Sequence, residues 1–303
     1  MCYNIIMAKG KANQKSRKKL TIVLSVVIPV VALFIIAPLI LYAVFGDDSS
    51  LEIEKFFVNT RTVQSDNVAD TINIVHLSDT HFPDIRIDLD KLIEKIIIEN
   101  PDFIAITGDI VPTRGNVETG GLKEFLNKIV PIAPVFYVDG NHDRANRNMT
   151  QLHNIIRQSG AIILCKDYSS YNLTVRNQEI LIVGLEYRQN RVNIFENPNN
   201  ASAVVFLKHV PSFRVPIYYI NASGVQSQVI PDLILAGHVH GGHIRIFNRA
   251  ILCPDSLFFP RFSNGLYTNE YNTSMIVSRG LGNSLFFRRV NNIPHMPIVR
   301  LQV

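Results

Sequence analysis

INIVHLSDTH, residues 72–81, is a β-branched apolar run that stops abruptly at Asp79-Thr80-His81. Such a run reads as a buried strand. On an extended segment alternate side chains share a face, so Asp79 and His81 point the same way, as two ligands of one metal would. The pattern recurs along the chain. The apolar run 103–107 leads to Gly108-Asp109, and 135–138 to Gly140-Asn141-His142-Asp143. Residues 203–207 lead to His209, and 233–236 to Gly237-His238-Val239-His240. Two further runs, 180–183 and 275–277, read as strands without such an ending.

Between the first two runs, residues 89–99 carry apolar side chains at Leu89, Leu92, Ile93, Ile96 and Ile97, the spacing of an amphipathic helix. Residues 122–129 and 149–158 read as further helices, so strand, helix and strand alternate as in an α/β fold. In parallel sheets, ligands and reacting groups collect at the carboxyl ends of the strands. Gly-Asp and Gly-Asn-His-Asp are also ordinary turn sequences when taken alone. The ordered set, each member at a strand end, is what points to a site. Imidazoles, carboxylates and one amide oxygen, with no thiolate, suit two divalent ions of the Mn, Fe or Zn kind.

The N-terminus has a different character. Residues 20–45 run for 26 positions without a charge, enough for a transmembrane helix, which needs about 20. Pro29 and Pro38 are tolerated in such helices. Lys9, Lys11, Lys15, Arg17, Lys18 and Lys19 precede the run, and Asp47 and Asp48 follow it. The positive-inside bias therefore predicts a single-pass membrane protein with a cytoplasmic N-terminus and an extracytoplasmic catalytic domain. Ala43-Val44-Phe45 lacks a small-residue cleavage pattern, so an uncleaved anchor is expected. The expected organisation is a basic segment (1–19), an anchor (20–45), a linker with a first strand (46–71) and a catalytic domain (72–303).

The formal charge is +5, but six of the 30 Lys and Arg precede the apolar run, leaving 24 against 25 acids. No nucleic-acid partner is expected of that balance. Cys2, Cys165 and Cys253 are too scattered for a disulfide framework.

With these motifs in order, the chain resembles the calcineurin-like metallophosphoesterase superfamily over residues 72–300. Gly241-Gly242, Asn264-Gly265-Leu266-Tyr267 and Ser278-Arg279-Gly280-Leu281-Gly282 are similar to its membrane-associated bacterial phosphodiesterase branch. The resemblance implies a sandwich of two mixed β-sheets flanked by helices, here with an N-terminal transmembrane helix. It implies that Asp79, His81 and His240 hold one metal, that Asn141, His209 and His238 hold the other, and that Asp109 bridges them. Such pairs stand about 3.5–4 Å apart and supply a metal-bound hydroxide that attacks phosphorus. The resemblance assigns His142 to stabilising the transition state or protonating the leaving oxygen, with Asp143 orienting it.

A phosphohydrolase, most simply a phosphodiesterase, is therefore expected. An anchor would confine it to the bilayer surface and to a phospholipid head group or nucleotide-linked glycolipid. Leu257-Phe258-Phe259 and Leu285-Phe286-Phe287 could form an apolar lip there, or pack in the core. The alternatives are a tethered enzyme for soluble phosphoesters and a surface binding protein without turnover. Arg114, Arg144 and Arg279 stand close enough to motifs to reach a phosphate. His243, where many relatives of this branch carry Gln, is expected at the surface, and His76, His153 and His295 are expected to be structural or exposed.

Overall fold

The computed structural model describes residues 21, 23–45, 50–61, 70–85, 87–117, 121–165, 169–187, 192–214, 217–246, 249–253, 257–283 and 289–303. The chain divides into two compact units, Met1–Gly46 and Asp47–Val303.

In chain order the strands of the larger unit are β1 (Glu52–Asn59), β2 (Thr71–Leu77), β3 (Phe103–Ile106), β4 (Val135–Tyr137), β5 (Ile162–Ile163), β6 (Ser170–Val175), β7 (Gln178–Leu185), β8 (Val192–Ile194) and β9 (Ala203–Lys208). They continue with β10 (Ile217–Ile220), β11 (Gln226–Gln228), β12 (Leu233–Ala236), β13 (Ile244–Ile246), β14 (Arg249–Cys253), β15 (Leu257–Phe258), β16 (Gly265–Thr268), β17 (Ser274–Val277) and β18 (His295–Gln302). Two six-stranded mixed sheets dominate, in the orders β1-β18-β2-β3-β4-β5 and β16-β17-β12-β9-β7-β6. Within the first, β2, β3, β4 and β5 run parallel; within the second, β7, β9, β12 and β17 do.

Period-two alternation sorts the side chains into layers. Ile72 and Ile74 of β2, Phe103 and Ala105 of β3, and Phe136 of β4 face Ile182, Val205, Leu207, Leu235 and Ile276 of the second sheet, forming the core between the sheets. The intervening residues Val75, Leu77, Ile104 and Ile106 face outward under helices Leu89–Glu99, Leu122–Ile129 and Met149–Ser159. Asp88 caps the first of these helices by accepting from the N–H groups of Asp90 and Lys91. The helix buries Leu92, Ile93 and Ile96, as its spacing predicts, while Ile97 remains exposed. Helices flank only the first sheet among the described residues. The outer face of the second packs against Val192, Ile194, Ile217 and Val229 from β8, β10 and the loop after β11.

The N-terminal unit corrects one expectation. Among the described residues no helix is long and apolar enough to cross a membrane, so the transmembrane helix expected over 20–45 is not supported. The segment consists of a π-helical turn, Val23–Val27, and an α-helix, Ile28–Phe45, of 18 residues. At about 1.5 Å per residue such a helix reaches about 27 Å, short of a hydrocarbon core of about 30 Å. Pro29 supplies a physical reason for the break. Its ring clashes with the carbonyl one α-turn earlier, and a wider π turn relieves that crowding. The basic residues 9–19, which set the expected orientation, lie outside the described residues, as do Leu285, Phe286 and Phe287.

Phe136 is fully buried at the centre of the inter-sheet layer, edge-on to Phe103 at 5.8 Å. Phe136→Ala is expected to lower unfolding stability by about 3–5 kcal/mol, read as a shift in the denaturant midpoint without loss of the native circular-dichroism signal. A change below about 1 kcal/mol would contradict the packing described.

Candidate metal centre

Every residue nominated from the sequence as a ligand lies just beyond a strand. Asp79 and His81 follow β2, Asp109 follows β3, Asn141 follows β4, His209 follows β9, and His238 and His240 follow β12. The chain leaves these strands in the left-handed region at Asp79 (φ 52°), His81 (48°), Asp109 (51°), His238 (75°) and His240 (48°). Asp and His tolerate this region better than most residues, but each instance still costs on the order of 1 kcal/mol. Backbone pairing between loops holds the strained positions: Asp79 N–H donates to the Gly108 carbonyl (3.0 Å) and His81 N–H to the Asp109 carbonyl (3.1 Å). Two glycines are required by close approach. A Cβ at Gly140 would run into the Asp109 carboxylate, and one at Gly237 into Ser78 and the Asp79 carboxylate.

Two ligand groups result. Asp79, His81 and His240 place donor atoms within 4.8 Å of one another, and so do Asp109, His209 and His238. In the first group His81 Nε2 faces His240 Nε2 at 3.2 Å, and His240 Nε2 lies 3.5 Å from Asp79 Oδ1. In the second, His209 Nε2 lies 3.0 Å from Asn141 Oδ1, 3.0 Å from His238 Nδ1 and 3.2 Å from Asp109 Oδ2. The groups are linked, because His238 N–H donates to both oxygens of Asp79 (3.1 and 2.9 Å). Asp109 Oδ1 accepts from His142 N–H at 2.7 Å, which leaves Oδ2 toward the imidazoles.

The donor set fits cations. His209 Nδ1 faces the Thr107 carbonyl at 2.7 Å, and a carbonyl only accepts, so Nδ1 carries a hydrogen and Nε2 is the nitrogen turned to the group. One proton on Nε2 cannot satisfy an amide oxygen, a carboxylate and a second imidazole together; a divalent cation among them does. Burial disfavours charge on His209, but the neighbouring Asp109 carboxylate outweighs it and raises its pKa to about 10. Burial likewise opposes ionisation of Asp109, yet His209, His81 and His142 hold its carboxyl well below the usual range. Burial, and then the charge of Asp109, raise Asp79 to about 6, although His209 opposes the rise, while burial lowers His81 to about 3.

His142 stands at the edge, 29% exposed, with Nε2 3.9 Å from Asp109 Oδ2 and its ring edge-on to His81 at 4.9 Å. Its Nδ1 accepts from Thr113 N–H at 3.3 Å and lies 2.8 Å from Thr113 Oγ1. A backbone N–H only donates, so the neutral ring carries its hydrogen on Nε2, toward the metal groups. The expected partner, Asp143, does not fill this place. Its carboxylate accepts from Val111 N–H (3.1 Å), Gly140 N–H (2.9 Å) and Tyr137 O–H (2.8 Å), and so braces the loops after β3 and β4. Burial, and then the charge of Asp109, raise its pKa to about 7.

Other residues complete the surroundings. Ser78 O–H donates to Asp79 Oδ2 (2.6 Å). Asn292 donates to the His240 carbonyl (2.6 Å), and the buried Arg289 guanidinium lies 3.2 Å from His240 Nδ1 while donating to the carbonyls of Arg279 and Gly282. His243, expected at the surface, is fully buried and stacked on His240 at 5.5 Å. Arg144 pairs with Glu186 (2.6 Å) and Arg279 with Glu52 (2.8 Å), so neither guanidinium is committed to a phosphate. His76 contacts Thr107, His153 contacts Asp139 and His295 contacts Glu54, in keeping with structural roles.

The profile of the family described as calcineurin-like phosphoesterase matches residues 72–242. The chain is 27% identical over 180 residues to the uncharacterized metallophosphoesterase YkoQ of Bacillus subtilis, covering 57% of this chain and 62% of that one. It is 26% identical over 261 residues to an uncharacterized metallophosphoesterase of Aquifex aeolicus, covering 83% and 92%. It spans about three fifths of the length of the first two curated relatives, 62% of YkoQ and 58% of Cj0846 of Campylobacter jejuni. Among solved structures, a 5'-nucleotidase precursor of Thermus thermophilus aligns with a TM-score of 0.43 at 12% identity, covering 77% of this chain and 55% of that one.

The raised pKa of His209 predicts how metal binding responds to pH. With the folded value near 10, the ring is protonated at neutral pH and a cation must displace that proton. Apparent affinity for Mn²⁺ is therefore expected to rise about tenfold per pH unit between pH 7 and 9. The slope should steepen below pH 6, where Asp79 also binds a proton. Calorimetry in buffers of different ionisation enthalpy reads the proton release directly. Binding with no proton released at pH 7 would contradict the assignment.

Proposed function

The chain belongs to the calcineurin-like phosphoesterase family, and from that premise we propose that it is a dinuclear-metal-dependent phosphohydrolase, acting on phosphodiesters in preference to monoesters. The observation that carries this reading is the pair of adjoining buried ligand groups with Asp109 among them and His142 at their edge. Asp79, His81 and His240 would hold one cation, and Asn141, His209 and His238 the other, with Asp109 as the shared carboxylate. When bound, two such ions acidify a water and neutralise charge on phosphoryl oxygens. His142 presents Nε2–H to the charge that develops on the phosphoryl or departing oxygen, and the Thr113 contact keeps the ring in that tautomer. Asp143 acts through the loops, holding Gly140 and Val111 so that Asn141 and Asp109 keep their spacing.

The preference for diesters draws support from the space beside His142. A cavity of about 760 Å³ adjoins Thr113, which itself contacts the ring, and it leaves room for a second esterified group. A lipid substrate at the cell envelope rested on a spanning helix, and it is not carried forward. Phe259, from one of the two aromatic triplets, is exposed (69%), but a single exposed aromatic does not specify a lipid.

The test is hydrolysis of bis(p-nitrophenyl) phosphate against p-nitrophenyl phosphate by chelator-stripped protein after restoring Mn²⁺, Zn²⁺ or Mg²⁺. Metal-dependent turnover favouring the diester is expected. His142→Ala should lower kcat by about 10²–10⁴ with metal content kept, whereas Asp109→Ala should lose both metal and activity. Full activity in Asp109→Ala would overturn the site assignment.

A further inference from the structure

The cavity beside His142 has a character that none of the metal motifs explains. It opens between the loop after Asp109 and the segment after the Asn141–Ala145 helix, lined by Thr113, Arg114, Gly115, Asn146, Arg147 and Asn148. Both arginines are exposed, no acid lines the cavity, and among the described residues neither guanidinium has an ion pair or hydrogen bond. This sets them apart from Arg144, Arg279 and Arg289, which are held by carboxylates or carbonyls. The walls are tied before any ligand arrives. Asn146 Nδ2 donates to the Pro112 carbonyl (2.7 Å), Asn148 N–H to Asn146 Oδ1 (2.8 Å), and Asn148 Nδ2 to the Gly115 carbonyl (3.2 Å). Thr113 belongs to both features, lining the cavity and contacting His142 Nδ1. Thr113 therefore joins the cavity to the ring whose Nε2 faces Asp109.

Unpaired guanidiniums in a pre-tied cavity suit a phosphate, which they bind through parallel N–H···O bonds. We propose that this cavity is a subsite for a second phosphoryl group carried by the departing half of the substrate. Favoured substrates are then phosphodiesters or diphosphate diesters whose leaving group bears its own phosphate. The inference rests on the phosphoesterase reading and extends it to substrate class. In the reaction, water adds its oxygen to the attacked phosphorus, the bond from phosphorus to the departing oxygen breaks, and the electron pair stays on that oxygen. A diphosphate diester yields two phosphomonoesters, one from each phosphorus, and both of water's protons pass to solvent when the two products are dianions. A phosphodiester yields one phosphomonoester and an alcohol; one of water's protons goes to the departing oxygen and the other passes to solvent as the phosphomonoester becomes a dianion.

The experiment compares the metal-loaded full chain on three substrates. These are bis(p-nitrophenyl) phosphate, ADP-ribose as the diphosphate diester, and a dithymidine phosphodiester with a terminal phosphate on its departing nucleoside. The readout is the ratio of kcat/KM for each phosphate-bearing substrate to that for bis(p-nitrophenyl) phosphate. In Arg114→Ala/Arg147→Ala the ratio is expected to fall by about tenfold to a hundredfold, the loss of charge-assisted hydrogen bonds to phosphate. Arg114→Lys/Arg147→Lys should recover part of it, since charge is kept and the fork is lost. A fall for ADP-ribose alone assigns the subsite to anhydrides, and a fall for the dinucleotide alone assigns it to diesters. An unchanged ratio for both overturns the subsite while bis(p-nitrophenyl) phosphate turnover upholds the phosphoesterase reading. Silence of the loaded wild type on all three removes that reading and the subsite with it.

Discussion

The carboxylate of Asp109 is the constraint on which the rest of the centre depends. It is 2% exposed, and burying an isolated anion is costly without compensating charge or hydrogen bonds. Here the compensation is specific: His142 N–H on one oxygen, and the His209 imidazole against the other. Burial raises Asp79 and Asp143, and the same charge adds to both; at His209 burial works the other way and the charge of Asp109 outweighs it. A cluster of buried groups pulled this far from their ordinary values is costly as apo protein. Two divalent cations would relieve it by replacing protons on these groups.

Geometry supplies the second condition. Asp79, His81, Asp109, Asn141 and His142 come from the first sheet, whereas His209, His238 and His240 come from the second. Neither sheet holds a complete ligand set. The layer between them, from Phe136 and Phe103 on one side to Leu207 and Leu235 on the other, is what keeps the two half-sites in register. The loop pairing of Asp79 with Gly108, and the donation from His238 N–H to Asp79, then tie the ligand loops to one another. Backbone strain at five ligands is the cost of turning side chains back over the strand ends.

Much of this was legible in the residues. Strands whose β-branched runs are buried on both faces, such as β2, β3, β9 and β12, announce themselves by composition, and each ends on the motif that serves the site. A first strand was expected within 46–71 and β1 lies there, whereas β18 was less visible, with Arg300 interrupting its apolar pattern; the parallel pairing of the two joins residues more than two hundred positions apart. Thr113 and Arg289 escaped notice for a similar reason. Neither belongs to a motif, and each acts through a contact with a ring that only the folded chain brings near. His243 was misplaced because its neighbours are turn-like glycines, yet those glycines let the loop fold inward and stack the ring on His240. The N-terminal run misled through composition alone, since a helix interrupted at Pro29 no longer matches its apolar length.

The central claim is that two cations lie in adjoining groups that share Asp109. Anomalous scattering from Mn²⁺-loaded crystals tests it most directly. Two peaks are expected, one among Asp79, His81 and His240, the other among Asn141, His209 and His238, with the Asp109 carboxylate in contact with both. A single peak, or a second one away from Asp109, would contradict the account.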